Sequence, residues 1–561
     1  MSKSYLKWVF WIGLLIAALV GGLYLSGYIL LIWLKLTQVP LELGTYLKYM
    51  GAMDTPKVAP FAKQIKVSGM VGFAVPIGLY LLMLYGMFKK KPQSTHGEAR
   101  FANTGDLAKK DMFKETETSI VVGKKDGKLI QFSGQQFVIL AAPTRSGKGV
   151  GIVIPNLLTY QGSMVVLDIK QENFDLTSGY RQTELKQEVF LFNPFAEDGR
   201  THRWNPLTYV SSDKNFRVSD LMSIAAMLYP DGSADQKFWV SQSRNAFLAF
   251  TLYQLEKREH QQQDGLPQNL QVPCTLGAIY RLSSGNGKDL KQYLQGLSQE
   301  SFLSQDAKTA FANLLSQADD TFSSIMGSFK EPLNAWINPI VDAATSGDDF
   351  LLTDLRKKKM TVYVGILPNK LAESRLIVNL LFSQIINMNT KELPQNNPDL
   401  KYQCLLLMDE FTSIGKVDII ASAVSYMAGY NIRLLPIVQS MAQLDATYGR
   451  ESARTLMTNH ALQIVYTPRE QQDANDYSEM LGYTTVKKRN VTRGRETSYS
   501  EVEERRALML PQELKAMNAN KEIFLYEGIP YPVMCDKIRY YEDKYFTQRL
   551  LPAVEVKQLS I

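Results

Sequence analysis

Cysteine and histidine are scarce in this sequence, with three cysteines and four histidines among 561 residues. The cysteines, Cys274, Cys404 and Cys535, lie far apart, and no Cys-x-x-Cys pair occurs. A fold stapled by disulfides is therefore excluded, and the composition suits a reducing compartment. Because the histidines do not cluster either, we do not expect a zinc site.

A strong excess of one charge is also missing. The net charge is +7, with 21% charged and 45% hydrophobic residues, which is typical of a folded protein. This mild excess permits an acidic partner without requiring a nucleic acid. The chain is too long for one ordinary core, so we expect several domains. No internal repeat is evident.

Two segments lack charge altogether, at residues 8–34 and 67–88. Each is long enough to cross a bilayer, since about 20 residues suffice. A cleaved signal peptide is the alternative for the first segment, but its apolar part is too long and a second span follows. We therefore predict a membrane anchor at residues 1–91, with residues 35–66 as an external loop.

The orientation of this anchor is not decided by its lysines. Lys89, Lys90 and Lys91 follow the second span, but the loop between the spans is also rich in lysine. Residues 142–149 read A-P-T-R-S-G-K-G and give a better argument, because a glycine–lysine loop of this kind predicts binding of cytoplasmic ATP. We therefore expect both termini and the large body in the cytoplasm.

Residues 142–149 read A-P-T-R-S-G-K-G and are the most informative stretch of the chain. They follow an apolar run at 137–140 and precede residues 150–158, which can open a helix. A strand, a glycine-containing loop with a lysine and a helix form the context of a phosphate-binding loop. Backbone N–H groups and the helix N-terminus would surround a polyphosphate, and Lys148 would reach its terminal phosphates.

The match to G-x-x-x-x-G-K-[ST] is imperfect. Ala142 replaces the first glycine, and Gly149 replaces the hydroxyl residue that normally binds Mg²⁺. A glycine–lysine turn without function is the alternative, so the loop needs a partner motif. The candidate phosphate-binding residues are Ala142, Pro143, Thr144, Arg145, Ser146, Gly147, Lys148, Gly149 and Val150.

Asp409 and Glu410 supply that partner motif, because they end the apolar run 405–408. Asp409 is the candidate Mg²⁺ ligand and Glu410 the candidate general base, although the pair could simply cap the following helix. Gln439 follows the run 434–438 and is the candidate sensor of the terminal phosphate. Asp168 also follows an apolar run, and metal assistance and helix capping are both open for it.

Short apolar runs alternating with helical patterns predict an α/β body with a parallel sheet covered on both faces. Between residues 214 and 345 only helical spacing remains, which predicts an all-α insertion.

The expected divisions are 92–130 as a linker and sheet edge, 131–213 with 346–545 as the nucleotide-binding domain, and 546–561 as a tail. The segment 487–504 is predicted as a mobile loop or hairpin, and its basic part 487–495 is either a DNA contact or a solvated charged loop. The predicted strands lie at 137–140, 164–167, 189–192, 361–366, 405–408, 434–438, 462–466 and 523–526.

Several blocks together resemble the TraG-type coupling proteins of conjugation and type IV secretion. The resemblance runs over nearly the whole chain, from His96 to Tyr541. The blocks are P-T-R-S-G-K-G-V-G-I-V-I-P-N-L (143–157), V-L-D-I-K-Q-E-N (166–173), F-N-P-F (192–195), R-W-N-P-L (203–207), L-L-L-M-D-E-F (405–411) and V-Q-S-M-A-Q-L (438–444).

The resemblance implies a RecA-like motor domain with an inserted all-α domain, assembled as a hexamer under the bacterial inner membrane. It implies an ATP- and Mg²⁺-dependent, DNA-translocating ATPase that brings relaxase-bound single-stranded DNA to the inner-membrane components of the secretion channel. It also implies that Gly149 is a variant the family tolerates. An arginine from a neighbouring subunit would complete the site, and the nearby arginines are Arg433, Arg450, Arg454 and Arg469.

Two other functions remain open on the sequence. The chain could act mainly as a membrane-anchored hub that recruits protein effectors, although the intact Lys148, Asp409 and Glu410 oppose a passive scaffold. A chromosome-segregation translocase of the FtsK type is a third possibility. Two spans and the lack of a long Pro/Gln-rich linker weigh against it.

Overall fold

The computed structural model describes residues 3–88, 95–493 and 497–560. The chain divides into two compact units, Met1–Thr95 and His96–Ile561. The basic run Lys89–Lys91 and Arg495, which the sequence singles out, lie outside the described residues.

The first unit consists of α1 (Lys3–Trp33), α2 (Thr45–Gly51) and α3 (Ala62–Phe88). Two segments of this unit are long and apolar enough to cross a membrane. They are Phe10–Trp33 and Ala59–Gly86, with mean hydropathies of 2.2 and 2.0. Both overlap the uncharged segments of the sequence, so the unit is compatible with the predicted two-span anchor.

Small residues let α1 and α3 approach each other closely. A Cβ atom added at Gly72 would lie 2.6 Å from the backbone of Ser26, and one at Gly22 would lie 2.5 Å from the ring of Phe73. The Ser26 hydroxyl donates to the Gly22 carbonyl within its own helix at 2.6 Å, which leaves it satisfied without water. Small residues at a helix–helix contact are typical of packing in lipid.

The second unit is built on a large sheet. Eleven of its strands form one sheet in the order β2-β1-β13-β12-β9-β3-β8-β7-β4-β6-β5, and β10 and β11 form a separate hairpin. The strands are β1 (Ile120–Lys125), β2 (Lys128–Phe132), β3 (Val138–Ala141), β4 (Ser163–Ile169), β5 (Glu188–Phe192), β6 (Met360–Ile366), β7 (Cys404–Met408), β8 (Ile432–Val438), β9 (Leu462–Val465), β10 (Tyr483–Arg493), β11 (Thr497–Ala507), β12 (Lys521–Tyr526) and β13 (Val533–Asp536).

All eight predicted apolar runs form strands. The seven strands from β9 to β5 in the sheet order are parallel to their neighbours, and most of their residues are buried. Burial on both faces explains why these strands appear in the sequence as nearly continuous apolar runs instead of alternating ones.

The prediction of a wholly parallel sheet is wrong at one side. The run 523–526 lies in β12, which is antiparallel to both β9 and β13. Residues 527–532 make too short a connection for a parallel crossover, so β13 can return only as an antiparallel neighbour of β12. Strands β1 and β2 extend this side, again antiparallel, and β2 is the last strand in the order.

Helices cover the two faces of the sheet and fill the predicted insertion. Before the insertion lie α4 (Thr104–Ala108), α5 (Ile154–Leu157) and α6 (Glu172–Thr183). Between β5 and β6 the described chain has only helices: α7 (Lys214–Leu228), α8 (Lys237–Gln263), α9 (Leu276–Leu282), α10 (Leu290–Ser298), α11 (Gln305–Leu315), α12 (Asp319–Leu333) and α13 (Pro339–Ala344).

An aromatic cluster holds these inserted helices together. Phe250 of α8 stacks on Phe329 of α12 with ring centroids 5.2 Å apart, and it meets Phe311 of α11 edge-on at 6.1 Å. Tyr229 also stacks on Phe329, with ring centroids 6.0 Å apart, and its hydroxyl donates to the Phe329 carbonyl at 2.7 Å. This packing gives the insertion a hydrophobic centre built from its own helices.

Within the described residues, seven α-helices follow the insertion. They are α14 (Leu371–Asn389), α15 (Asp418–Ala423), α16 (Met441–Tyr448), α17 (Arg450–Thr458), α18 (Gln471–Met480), α19 (Pro511–Lys515) and α20 (Lys544–Thr547).

The segment predicted as a tail packs on α6. The Val554 amide donates to the Ser178 hydroxyl at 3.1 Å, and the Leu559 amide donates to the Gly199 carbonyl at 2.9 Å. Close approach at α6 requires a glycine, because a Cβ at Gly179 would lie 1.9 Å from the Pro552 carbonyl oxygen. The C-terminal segment is therefore a structural part of the body.

Two glycine-to-alanine substitutions in helices should have opposite effects. Gly179→Ala should lower the free energy of unfolding by about 1–3 kcal/mol, because the new methyl group clashes with the C-terminal segment. Gly296→Ala in α10 should raise it by about 0.5–1 kcal/mol, since nothing lies within 4 Å of its Cβ and alanine favours the helix. Denaturant unfolding measures both changes, and equal effects would contradict this packing.

Candidate functional site

The sheet order brings four separate loops to one edge. Strands β3, β8, β7 and β4 are neighbours in that order and parallel, so their carboxyl ends meet at the same edge. The loops after them carry residues 142–150, Gln439, the pair Asp409 and Glu410, and residues 169–173. Such an edge is the usual ligand site of an open α/β sheet.

The loop after β3 is compact and strained at its tip. Its start is fixed by the Ala142 amide, which donates to the Val438 carbonyl at 2.9 Å. The Ser146 hydroxyl donates to the Pro143 carbonyl at 2.5 Å, which closes the turn. Arg145 has a φ of 57°, a left-handed conformation that costs energy in a residue other than glycine.

The helix after this loop opens with a widened turn. Gly149–Val153 forms a π-turn, and α5 follows. Pro155 has no N–H to donate to the fourth residue before it, which explains why regular α-helical bonding does not begin here. At Gly151 an added Cβ would lie 2.6 Å from the Tyr466 hydroxyl, so the turn packs directly against the end of β9.

A cluster of charged and polar side chains lies beside the loop. The Lys148 ammonium is 3.3 Å from Asp409 Oδ1 and forms a hydrogen-bonded ion pair with Glu410. Gln439 Nε2 donates to the other Glu410 oxygen at 2.7 Å. The side chains of Lys148, Asp409 and Glu410 are only 12, 17 and 26% exposed. The four residues predicted for metal binding and catalysis therefore lie together.

The two carboxylates have different electrostatic environments. Burial raises the pKa of Asp409 even though Lys148 counters it. Burial also pushes the pKa of Glu410 upward, but the hydrogen bonds from Lys148 and Gln439 outweigh burial and leave that pKa lowered. Glu410 is therefore ionised at neutral pH, as a group that must accept a proton should be.

Glu410 is also held in an unusual backbone conformation. Its φ is 55°, in the left-handed region, which costs energy in a residue other than glycine. The short helical turn after it is fastened by the Ser413 hydroxyl, which donates to the Glu410 main-chain carbonyl at 2.6 Å. The Glu410 carboxylate makes no capping hydrogen bond to this turn. Both carboxylates contact Lys148 instead.

For Asp168 the structure favours the capping alternative. Its carboxylate accepts from the backbone amides of Asn173 at 3.2 Å and Phe174 at 2.8 Å, at the start of α6. Burial raises the pKa of Asp168 to about 7. Asp168 therefore shapes the loop that lines the site.

The arginines near the site have different surroundings. Arg433 is fully buried and donates to the carbonyls of Gln136 at 2.7 Å, Thr118 at 2.8 Å and Phe132 at 3.0 Å, so it is structural. Arg469 is exposed and donates to the carbonyl of Thr144 in the loop of its own chain at 2.9 Å. These contacts leave Arg450 and Arg454, both exposed on α17, as candidates to reach another subunit.

Sequence reasoning missed a lysine that supports the loop from outside. The Lys537 ammonium donates to the Ser146 carbonyl at 3.2 Å and lies 3.7 Å from the centre of the Tyr466 ring. Lys537 is 391 residues from Ser146 in the sequence, and no motif surrounds it. Only the path of β13 past the loop brings the two together.

A cleft of about 660 Å³ opens over these groups. Its lining comes from all four loops, from Pro368 and Leu371 after β6, and from Tyr540, which sequence reasoning also missed. The lining residues are Thr144, Arg145, Gly147, Lys148, Gly149, Val150, Ile154, Ile169, Lys170, Glu172, Asn173, Pro368, Leu371, Asp409, Glu410, Ser413, Gln439 and Tyr540.

The residues present fit a Mg²⁺ ion carried by a nucleotide. Among residues 3–88, 95–493 and 497–560, no group of three or more His, Cys, Asp and Glu side chains could hold a metal by itself. Mg²⁺ commonly takes one or two carboxylates and completes its shell with phosphates and water, and Asp409 supplies such a carboxylate. Nothing lies within 4 Å of a Cβ at Gly149, so water has room where the usual hydroxyl would be.

The basic segment 487–504 forms a hairpin, one of the two predicted alternatives. In it Lys487 lies 3.7 Å from Glu503, and Lys488 lies 3.6 Å from Glu504. These pairs balance part of the positive charge on which the predicted DNA contact depends. The side chains of Arg489 and Arg493 lie outside the described part, and the DNA contact stays a prediction.

The sequence model of a family described as "Type IV secretory system Conjugative DNA transfer" matches residues 90–560. The chain belongs to this family. Protein VirD4 of Rhizobium radiobacter is 29% identical over 514 residues, which cover 88% of this chain and 70% of that protein. Conjugal transfer protein TraG of Escherichia coli is 26% identical over 512 residues, covering 84% of this chain and 78% of that protein.

A solved structure supports the fold of this family member. The plasmid coupling protein TrwB in complex with ADP and Mg²⁺ superposes with a TM-score of 0.56 at 16% identity. The match covers 80% of this chain and 96% of that one. An α/β fold like that of TrwB, preceded in the sequence by two apolar helices, is thus the architecture of this chain.

A buried carboxyl behind the loop makes the stability of the family member depend on pH. Glu522 is fully buried, 3.6 Å from the Cys535 sulfur and close to Tyr466 and Lys537. Burial raises its pKa from 4.5 to about 8. The folded state thus binds a proton that the unfolded state releases, so stability falls as pH rises from about 4.5 to about 8.

Glu522→Gln should remove this pH dependence. The amide keeps the size of the side chain and cannot ionise. The free energy of unfolding of the variant, relative to that of the wild type, should therefore be higher at pH 9 than at pH 5. Thermal unfolding at the two pH values measures the difference. A constant offset between the two proteins at both pH values would contradict a protonated Glu522.

Proposed function

We propose that this chain is the coupling ATPase of a conjugation or type IV secretion system, and that it drives DNA transfer by ATP hydrolysis. The observation that carries the proposal is the cluster of Lys148, Asp409, Glu410 and Gln439 beside the phosphate loop. Membership of a conjugative DNA transfer family supports it. The ADP and Mg²⁺ held by TrwB support nucleotide binding in this fold.

Each residue of the cluster has a chemical role in this proposal. Lys148 and the amides of residues 142–150 bind the phosphates of ATP, and Asp409 holds its Mg²⁺, directly or through water. Glu410 accepts a proton from the attacking water, which requires an ionised carboxylate, and its lowered pKa keeps it ionised in the nucleotide-free structure. Gln439 reports the loss of the terminal phosphate through its hydrogen bond to Glu410. When bound, Mg²⁺ neutralises charge that develops on the phosphate oxygens.

Binding of a nucleotide requires a rearrangement at Lys148. In the structure this lysine is paired with both carboxylates, so phosphates must draw its ammonium away from Glu410. That exchange frees the Glu410 carboxylate to face water. The site is thus switched from an internally paired state to a hydrolytic state by the phosphates themselves.

The remaining parts of the proposal concern assembly and partners. The two apolar helices anchor the chain in the bacterial inner membrane, with the body in the cytoplasm. Six copies form a ring, and Arg450 or Arg454 of one copy completes the site of the next. The substrate is relaxase-bound single-stranded DNA, which a motor grips through its phosphates, and the partners are inner-membrane components of the channel.

Lys148→Ala in the full-length protein should abolish ATP hydrolysis and plasmid transfer while membrane insertion is kept. The substitution removes the cation that would bind the terminal phosphates. Phosphate release by purified protein and a mating assay measure the two losses.

Lys109→Ala is the matched control, because it removes an exposed lysine outside the cleft. It should leave both activities intact. Plasmid transfer at the wild-type frequency by the Lys148→Ala strain would refute the motor function and favour the recruitment hub.

A further inference from the structure

The proposed reaction leaves one lysine of the cleft unused. Lys170, in the loop after β4, lines the cleft together with Lys148 and Glu410. It is exposed, and its ammonium has no hydrogen bond or ion pair with any residue of the described chain. By contrast, the Lys148 ammonium is shared by two carboxylates. Lys170 thus offers a positive charge that no protein group neutralises by contact.

The backbone at this lysine is strained and firmly held. Lys170 has a φ of 91° and Gln171 a φ of 61°, so two consecutive residues other than glycine are left-handed. The Lys170 amide donates to the Ile366 carbonyl at 3.1 Å, and Asp168 fastens the far side of the loop at the start of α6. Glycine would adopt this conformation at lower cost, so backbone geometry alone gives no reason for a lysine here.

The sheet order fixes which end of a nucleotide this lysine would meet. Along the sheet edge the phosphate loop comes first, followed by Gln439, then by Asp409 and Glu410, and finally by the loop of Lys170. A polyphosphate that starts at the phosphate loop therefore directs its last phosphate toward Glu410 and Lys170. The charge of Lys170 already acts on Glu410, where it helps to lower the pKa of that carboxyl.

We propose that Lys170 is a second nucleotide-binding cation, which contacts the terminal phosphate of ATP and is left without a partner in the ADP state. The inference rests on the proposed ATPase function and adds a group that distinguishes ATP from ADP. Lys148 binds both nucleotides, whereas Lys170 adds affinity only when the third phosphate is present.

Lys170→Gly tests the proposal in the full-length protein. It removes the charge and relieves the left-handed strain, so thermal stability should be equal or higher. Affinity for a non-hydrolysable ATP analogue should fall about tenfold, the effect expected for one lost charged contact, while ADP affinity stays within about twofold. Lys170→Gln should show the same selective loss without a glycine, and Lys170→Arg should restore most ATP affinity.

Lys186→Gly is the matched control, since Lys186 is also exposed and left-handed, with a φ of 54°, but lies outside the cleft. It should change neither affinity. Wild-type ATP affinity in both Lys170→Gly and Lys170→Gln would overturn the proposal, as would an equal loss for ATP and ADP. If Lys148→Ala lost ATP affinity while both Lys170 variants kept it, only the role of Lys170 would fall. If the wild type bound neither nucleotide, the proposed function would fall as well.

Discussion

The ion pairing of Lys148 with Asp409 and Glu410 is the interaction on which the site depends. Three charges that are at most about a quarter exposed would be costly if left unpaired, so each needs the others in the absence of a ligand. The parallel order β3-β8-β7 makes this pairing possible, because it sets the phosphate loop, Gln439 and the two carboxylates along one edge. In the proposed function, the phosphates of a nucleotide replace the carboxylates as partners of Lys148, and the same pairing acts as a switch.

Strain is concentrated at this edge of the sheet. Left-handed residues occur at the tip of the phosphate loop, at Glu410 and in the pair Lys170 and Gln171. Each costs energy that the surrounding packing must supply, and each lines the cleft or adjoins it. The supports lie behind the loops: Lys537 holds the phosphate loop through Ser146, and Asp168 holds the loop of Lys170.

Much of this could be read from the sequence because the decisive residues are ordered along it. Apolar runs predicted eight strands, and polar residues placed directly after them predicted Asp409, Glu410 and Gln439. Lys537 and Tyr540 could not be found in this way, because they approach the cleft only through the antiparallel side of the sheet. The antiparallel pairing on that side also escaped prediction, since the burial of β12 resembles that of a parallel strand.

The surroundings of the charged residues likewise depend on packing and not on sequence. Arg433 was one of four arginines that could complete a neighbouring site, and only its burial among three carbonyls shows it to be structural. Lysines of the hairpin suggested a DNA contact, yet Lys487 and Lys488 face glutamates across the strands. In both cases the residue type was visible in the sequence and its partners were not.

Glu410 is the partner of Lys148 in the nucleotide-free structure, and we propose that it is also the base that activates water. The most direct test is ATP turnover by full-length Glu410→Gln under conditions where nucleotide binding is also followed. The ATP affinity of the variant should equal or exceed that of the wild type, because the substitution releases Lys148 from its ion pair with Glu410. Its turnover should fall by about 10²–10⁴-fold. Turnover at the wild-type rate in this variant would contradict the account.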